Sequence, residues 1–378
     1  MARAACPFDL RSRTILLGVA GSRAQGLAGP DSDIDVRGVA IPPASLLLGI
    51  HRPFEQADRS EELAPFADVL KGEESRVARQ SKIEGSVYAL AKFVRLCVDC
   101  NPHMLELLFC RESEIRLCTA EGAQLRQSAS VFLSQQVART FTGYAMSQLK
   151  RIQGHRRWLL DPPSGPPTRA AYGLPERTLL PREQMMAAEA VVRRKLESWS
   201  PDWGPLPAAE AQRLEAHLTG FMSEVLHVGE SEWHLAARAV GLDDNLVAVM
   251  DRERRFRAAH RNWTQFRTWK EQRNAARAGL EARFGYDTKH GAHLMRLLRM
   301  GREILERGEV HVWRGGRDAE ELRAIRKGAW TYDELVLRAQ RLAQHLGVLR
   351  DQNRSPLPRK PNIDAINNLV VELTRRWI

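Results

Sequence analysis

Gly21-Ser22-Arg23-Ala24-Gln25-Gly26, then a ten-residue spacer after Ser22, then Asp33-Ile34-Asp35, is the stretch that decides how this chain reads. Before it runs Thr14-Ile15-Leu16-Leu17-Gly18-Val19-Ala20, an apolar and partly β-branched segment that predicts a buried strand. Gly21 ends that strand, because glycine permits a sharp turn and a close backbone approach to a ligand. Ser22 and the amides behind it can then hydrogen-bond phosphate oxygens at the start of a short helix. Gly29-Pro30-Asp31-Ser32 is a turn signal leading into a second strand, Asp33 to Ile41. Strand side chains alternate, so Asp33 and Asp35 share one face while Ile34 and Val36 point into the core. Two hard carboxylates on a rigid strand suit Mg2+ or Mn2+, which would also neutralise triphosphate oxygens. Gly-Pro-Asp-Ser-Asp is also an ordinary solvated turn, and it is the conjunction of both halves between two apolar strands that favours the phosphate-and-metal reading.

On these residues the chain resembles the DNA polymerase β nucleotidyltransferase superfamily, whose pattern is Gly-Ser, a spacer of about ten residues, and Asp-x-Asp on the next strand. Asp33 to Val39, Lys92 to Leu96, Asn101 to Phe109, Gly143 to Ile152, Arg273-Asn274, Gly285 to His290 and Ala324 to Trp330 are similar to one bacterial branch, the RNA-ligase-associated nucleotidyltransferases. The resemblance implies an α/β (α+β) polymerase-β-like domain with a mixed sheet, followed by a mainly α-helical domain. It implies that Asp33 and Asp35 hold the metal and that Gly21, Ser22 and Arg23 bind the NTP. It also implies a third carboxylate on a neighbouring strand, helping to deprotonate the attacking hydroxyl. Glu84, opening Glu84-Gly85-Ser86-Val87-Tyr88, stands where the branch usually carries aspartate, and Glu55 is the second choice.

Net charge is +11, yet Lys plus Arg equal Asp plus Glu, 17 against 17, over residues 1–140, so the whole excess lies beyond. A neutral domain joined to a basic one is what a polyanion-binding transferase needs, although a basic solvated surface has the same composition. The boundary is expected between Ser113 and Ser130, giving a catalytic domain over 1–125 and a helical, basic, substrate-binding domain over 126–378. Ser134 to Arg157 predicts a long helix whose Lys150, Arg151 and Arg157 form a nucleic-acid-binding cluster with Trp158 beside it, or simply a cationic helix end. Further helices are expected at 183–199, 208–228, 231–239, 244–269 and 271–284. A helix capped by Asp287 or Thr288 carries Lys289, His293, Arg296 and Met300 along one face. Lys289 and His290 are read as contacts to the triphosphate or leaving pyrophosphate; His293 is set aside as a packing residue.

Five cysteines in a long chain fit a reducing compartment, and Cys97-Val98-Asp99-Cys100 with nearby His103 reads as core cysteines on the apolar side of a helix rather than half a zinc site. Neither a signal peptide nor a spanning segment is legible, so a cytoplasmic location without membrane attachment is expected. The expected reaction is transfer of NMP from an NTP to an acceptor hydroxyl with loss of pyrophosphate. By resemblance the acceptor is an RNA 3′ end, broken RNA or tRNA, with an RNA ligase as partner. Two alternatives stand beside it: a nucleotidyltransferase acting on a protein or small molecule, and a catalytically silent RNA-binding scaffold.

Overall fold

A computed structural model describes residues 6–29, 32–50, 53–80, 83–178, 181–199, 232–273 and 275–378. Pro30 and Asp31 of the expected turn, the expected 208–228 helix, Ser231 and Asn274 lie outside the described residues.

Five strands form one mixed sheet in the order β3-β4-β2-β1-β5, where β1 is Thr14–Val19, β2 Asp35–Ala40, β3 Gln56–Ala57, β4 Glu84–Ala89 and β5 Ile115–Cys118. β1 is buried at all six residues, as its unbroken apolar run requires of a strand covered on both faces. It pairs antiparallel with β2 and β5, while β2 pairs parallel with β4. Strand β2 starts at Asp35, so Asp33 sits in the approach to it. One sheet face packs Leu17, Val19, Ile34, Val36 and Val87 against Leu63, Phe66 and Leu70. Residues 53–80 therefore supply edge strand β3 and the buried Ala57, Leu63, Phe66 and Leu70 of this core.

The other face is covered by helices α2 (Leu90–Val98), α3 (Pro102–Phe109), α4 (Gln136–Leu160) and α9 (Thr288–Arg307), as defined by their buried residues. Leu16, Val39, Phe93, Leu105, Phe141 and Leu298 belong to this one core. Cys97 and Cys100 are fully buried in it, as apolar residues rather than ligands. Helix α3 begins as its sequence dictates: the Asn101 side chain accepts from His103 N and Pro102 occupies the first turn.

The chain splits into two compact units, 1–160 with 274–378, and 161–273, so the points of division differ from residue 125. The first unit ends with α8 (Ala275–Phe284), α9, α10 (Ala319–Arg326), α11 (Tyr332–Asp351) and α12 (Ile363–Arg375). Helix α11 opens on the reciprocal Thr331–Glu334 capping box that its sequence announces. Helix α10 starts at Ala319, but Asp318 makes no cap bond; its carboxylate accepts from Arg314 and Arg299 instead. In the second unit α5 (Arg182–Trp199), α6 (Glu232–Ala239) and α7 (Asp244–Gln272) share a small core of Val192, Ala236, Ala237 and Val247. Arg169 forms an ion pair with buried Glu253 of α7, holding its carboxyl below the usual range.

Candidate active site

The loop after β1 is held from two sides. Ala20 N donates to Asp35 O at 2.8 Å, tying the loop to β2. Gly21 follows with φ +61°, and a side chain there would run into the Asp35 carboxylate. Only glycine both adopts this left-handed conformation cheaply and lets the backbone pass so close to an acid. Ser22 lies in the short helix α1 (Gly21–Ala24). From the far end of the chain, Arg314 N donates to Gln25 O at 2.9 Å, Arg326 to Leu27 O at 2.8 Å, and Arg323 to Gly26 O. Residues almost three hundred positions away thus fix the loop that carries Ser22.

A cavity of about 380 Å3 opens beside this loop. Gly21, Ser22, Gln25, Asp35 and Arg37 line it from the sheet, and His103 and Glu106 from α3. Gln148 and Arg151 come from α4, Lys289, His290, His293 and Arg296 from α9, and Arg326 from α10. Alternation along β2 puts Asp35 and Arg37 on this side and leaves Ile34 and Val36, both fully buried, on the other. Helix α9 contributes through its 3–4 spacing, and its N-terminus is capped by buried Asp287, whose carboxylate accepts from His290 N at 3.0 Å.

The sequence candidates separate accordingly. Gly21, Ser22, Asp35, Arg151, Lys289 and His290 line the cavity together. Asp33 is exposed and acts on Asp35 through its charge. Glu84, also exposed, is registered directly opposite Asp35 on the parallel neighbour β4, so the two share a sheet face. Arg23 reaches the returning chain instead, donating to Ser32 O at 3.0 Å with Glu73 3.8 Å away. Lys150 and Arg157 are exposed on α4 outside the cavity lining, and Trp158 is buried against His155, not presented for stacking. Glu55 is engaged by Lys92 Nζ at 2.9 Å.

The cavity floor is a buried polar network in which Arg296 Nε is left without a partner. Arg296, fully buried, donates to Glu106 Oε1 at 2.5 Å, and Gln25 Nε2 donates to Glu106 Oε2 at 3.2 Å. A second Arg296 nitrogen lies 3.1 Å from His293 Nδ1, and the His293 ring stacks on His103 at 6.2 Å. Burial drives the Glu106 carboxyl upward, but Arg296, His103 and Arg37 outweigh it and leave it well below the usual carboxylate range. Burial depresses His103 to about 4 and His293 well below its ordinary value, so both rings are neutral at neutral pH.

Asp35 behaves differently. Burial raises its pKa, Arg37 and Lys289 pull it down, and Asp33 and Glu106 push it up. Such a carboxyl, crowded by like charges and only partly compensated, is improved by a cation. Asp35 and Glu84, in register on one sheet face, and Asp33 on the approach to β2 are hard oxygen donors of the kind Mg2+ or Mn2+ prefers, although their ligand atoms are not gathered within 4.8 Å of one another as the protein stands. Among the described residues the group of three that does bring potential ligand atoms within 4.8 Å of one another is His155, Glu281 and Asp287. Sequence reading missed Gln25, Arg37, His103, Glu106 and Arg326 as cavity residues. Two signals were available: Arg37 continues the Asp33-Asp35 alternation, and Glu106 is the one charge inside apolar Met104-Leu105-Glu106-Leu107-Leu108.

A mixed sheet with a Gly-Ser loop, an acidic second strand and a helical layer, followed by a mainly helical part, is the polymerase-β-like nucleotidyltransferase architecture. Residues 7–158 match the family model RlaP, described as RNA repair pathway DNA polymerase beta family. This supports the resemblance to the RNA-ligase-associated branch and points to a nucleotidyltransferase of an RNA repair pathway. No curated protein and no solved structure matches the chain significantly. Among the described residues, no helix is long and apolar enough to cross a membrane.

Proposed function

We propose that this chain transfers NMP from an NTP to the 3′ hydroxyl of an RNA, such as a broken strand or a tRNA, and releases pyrophosphate. The observation that carries the reading is the convergence of Gly21, Ser22 and Asp35 with Lys289, His290, Arg151 and Arg326 around one cavity. Anionic acceptors and cationic donors for a triphosphate stand on opposite walls. The loop amides and Ser22 bind phosphate oxygens, and Lys289 and Arg151 offset the charge on the leaving pyrophosphate. Asp33 and Asp35, with Glu84 as the third carboxylate, would hold Mg2+ or Mn2+, which would supply charge neutralisation to the triphosphate and make the attacking hydroxyl easier to deprotonate. Glu84 takes the proton of the attacking hydroxyl as it approaches the α-phosphate in line. Neutral His103 and His293 add no competing positive charge beneath Asp35.

The test is incubation of the wild type and Asp35→Asn with MgCl2, each α-labelled NTP and total cellular RNA, followed by separate resolution of RNA and protein. Label in RNA that is lost in the variant supports the proposal. Label in protein transfers the assignment to protein nucleotidylation, and label in neither fraction removes RNA as the acceptor.

A further inference from the structure

Helix α9 has a second working face. At roughly 100° per residue, Met295, Arg299 and Arg302 point about a third of a turn away from Lys289, His293 and Arg296. They border a separate concavity of about 580 Å3, closed by Trp330 and by residues around α10 and on α11. Six arginines stand in its wall: Arg299, Arg302, Arg314, Arg317, Arg338 and Arg341.

Its three carboxylates serve only two of them. Buried Arg314 takes Glu303 at 2.8 Å and Asp318 at 2.6 Å. Arg299 takes Asp318 at 2.9 Å and Glu321 at 2.8 Å. Arg302 has a loose 3.8 Å contact to Glu306 of its own helix. Arg317, Arg338 and Arg341 are exposed, and among the described residues neither Arg317 nor Arg341 forms an ion pair. The Arg338 guanidinium lies over the Trp330 ring at 4.3 Å, which fixes its plane without neutralising its charge. A concave wall therefore carries three net positive charges on solvent-facing guanidiniums anchored by a rigid buried base. The carboxylates of the lining are engaged by Arg314 and Arg299, and the exposed Glu306 and Glu334 at its edge act on Arg302 and Arg338, which leaves Arg317 and Arg341 without an ion pair among the described residues.

We infer that this groove binds the phosphate backbone of single-stranded RNA, holding the acceptor strand one helix away from the nucleotide cavity. The assignment to RNA rests on the RNA-acceptor reading given above; the groove itself rests on the arginine wall. Guanidiniums match phosphate oxygens bidentately, and the whole charge excess of the chain lies beyond residue 140, on the side that supplies this wall. Trp330 is only 9% exposed and already covered by Arg338, so it offers bases no stacking platform. Recognition here is of backbone charge, without base preference.

The experiment is fluorescence anisotropy with a labelled twelve-nucleotide oligouridylate and the full chain in EDTA, comparing wild type, Arg317→Ala/Arg341→Ala and Arg317→Lys/Arg341→Lys. The alanine pair is expected to weaken binding at least tenfold and to reduce the log–log salt slope by about 1.4, since each phosphate on a single strand contributes roughly 0.7. The lysine pair should regain the slope, while thermal midpoint and MgATP binding stay unchanged in both. Unaltered affinity and slope in the alanine pair would overturn the inference, as would a wild type that does not bind the oligonucleotide. Displacement of RNA by poly-glutamate at equal charge concentration would reassign the groove to an acidic protein segment. The two readings fail separately. RNA binding lost in the alanine pair while label enters only protein leaves the groove and removes the RNA acceptor; labelled RNA with wild-type binding by that pair does the reverse.

Discussion

The floor of the cavity and its sheet side are built on opposite electrostatic plans. On the floor Glu106 is held by Arg296 and Gln25, Arg296 also meets His293, and both Glu106 and Arg296 are shut off from water. On the sheet side Asp35 is crowded by Asp33 and incompletely compensated by Arg37 and Lys289, with Glu84 beside it on β4. A compensated buried charge locates helices relative to one another, whereas an uncompensated half-buried charge is poised to meet a ligand. Under the proposed function, the floor contributes stability and the sheet side chemistry.

Breaking the floor should give the largest effect. Arg296→Met strands the Glu106 carboxylate and is expected to cost about 3–5 kcal/mol of unfolding free energy, most of it recovered in Glu106→Met/Arg296→Met. Chemical denaturation of the three proteins measures this, and a double variant as unstable as the single would mean the pair does not act as a unit. Asp35→Asn should instead reduce nucleotide transfer by about 10²–10³-fold, comparable to losing one fixed electrostatic contact to the transition state. Its denaturation midpoint should hold or rise, because burial already disfavours the charged form; a drop would place Asp35 with the floor.

Acid provides a sharper contrast. His103 has a folded pKa of about 4 against an ordinary 6.5, so the unfolded chain takes up its proton first as pH falls. Its contribution to stability is complete above pH 6.5 and is lost between 6.5 and 4, by at most about 1.4 kcal/mol per pH unit. His103→Gln should flatten the stability curve over that window, read by urea denaturation at several pH values. Glu106, with its lowered pKa, keeps its contribution above its ordinary 4.5 and loses it at lower pH, so the floor fails in two separable stages. The smallest expected change is in Glu84→Gln, about 10²-fold slower transfer, the low end for a lost general base, with NTP binding unaltered; a wild-type rate would remove Glu84 from the sheet-side set.

Much of this was legible locally. The buried run Thr14–Val19, the break at Gly21, the alternation from Asp33 through Val36, the Asn101-Pro102 cap and the Thr331–Glu334 box each depend on neighbours within a few residues. Lys289 and His290, picked out by the helix start at Asp287 and by the resemblance, both line the cavity. Arg23 pointed elsewhere, since a side chain two positions past a glycine turn takes its direction from the returning chain, here Ser32. Trp158 looked available beside basic residues, yet it is buried, and burial is a property of packing rather than of order along the chain.

By itself the sequence determined the strand–loop–strand unit with its glycine, serine and paired aspartates, because turn chemistry and side-chain alternation act over a few residues. Only the tertiary structure decided that Arg314, Arg323 and Arg326 clasp that loop, that Glu106 meets Arg296 190 positions away, and that α9 borders both the cavity beside Gly21 and an arginine-lined concavity. These are charge pairings and helix faces whose partners are chosen by three-dimensional proximity, and a one-dimensional period carries no record of which distant residue will fill the space opposite.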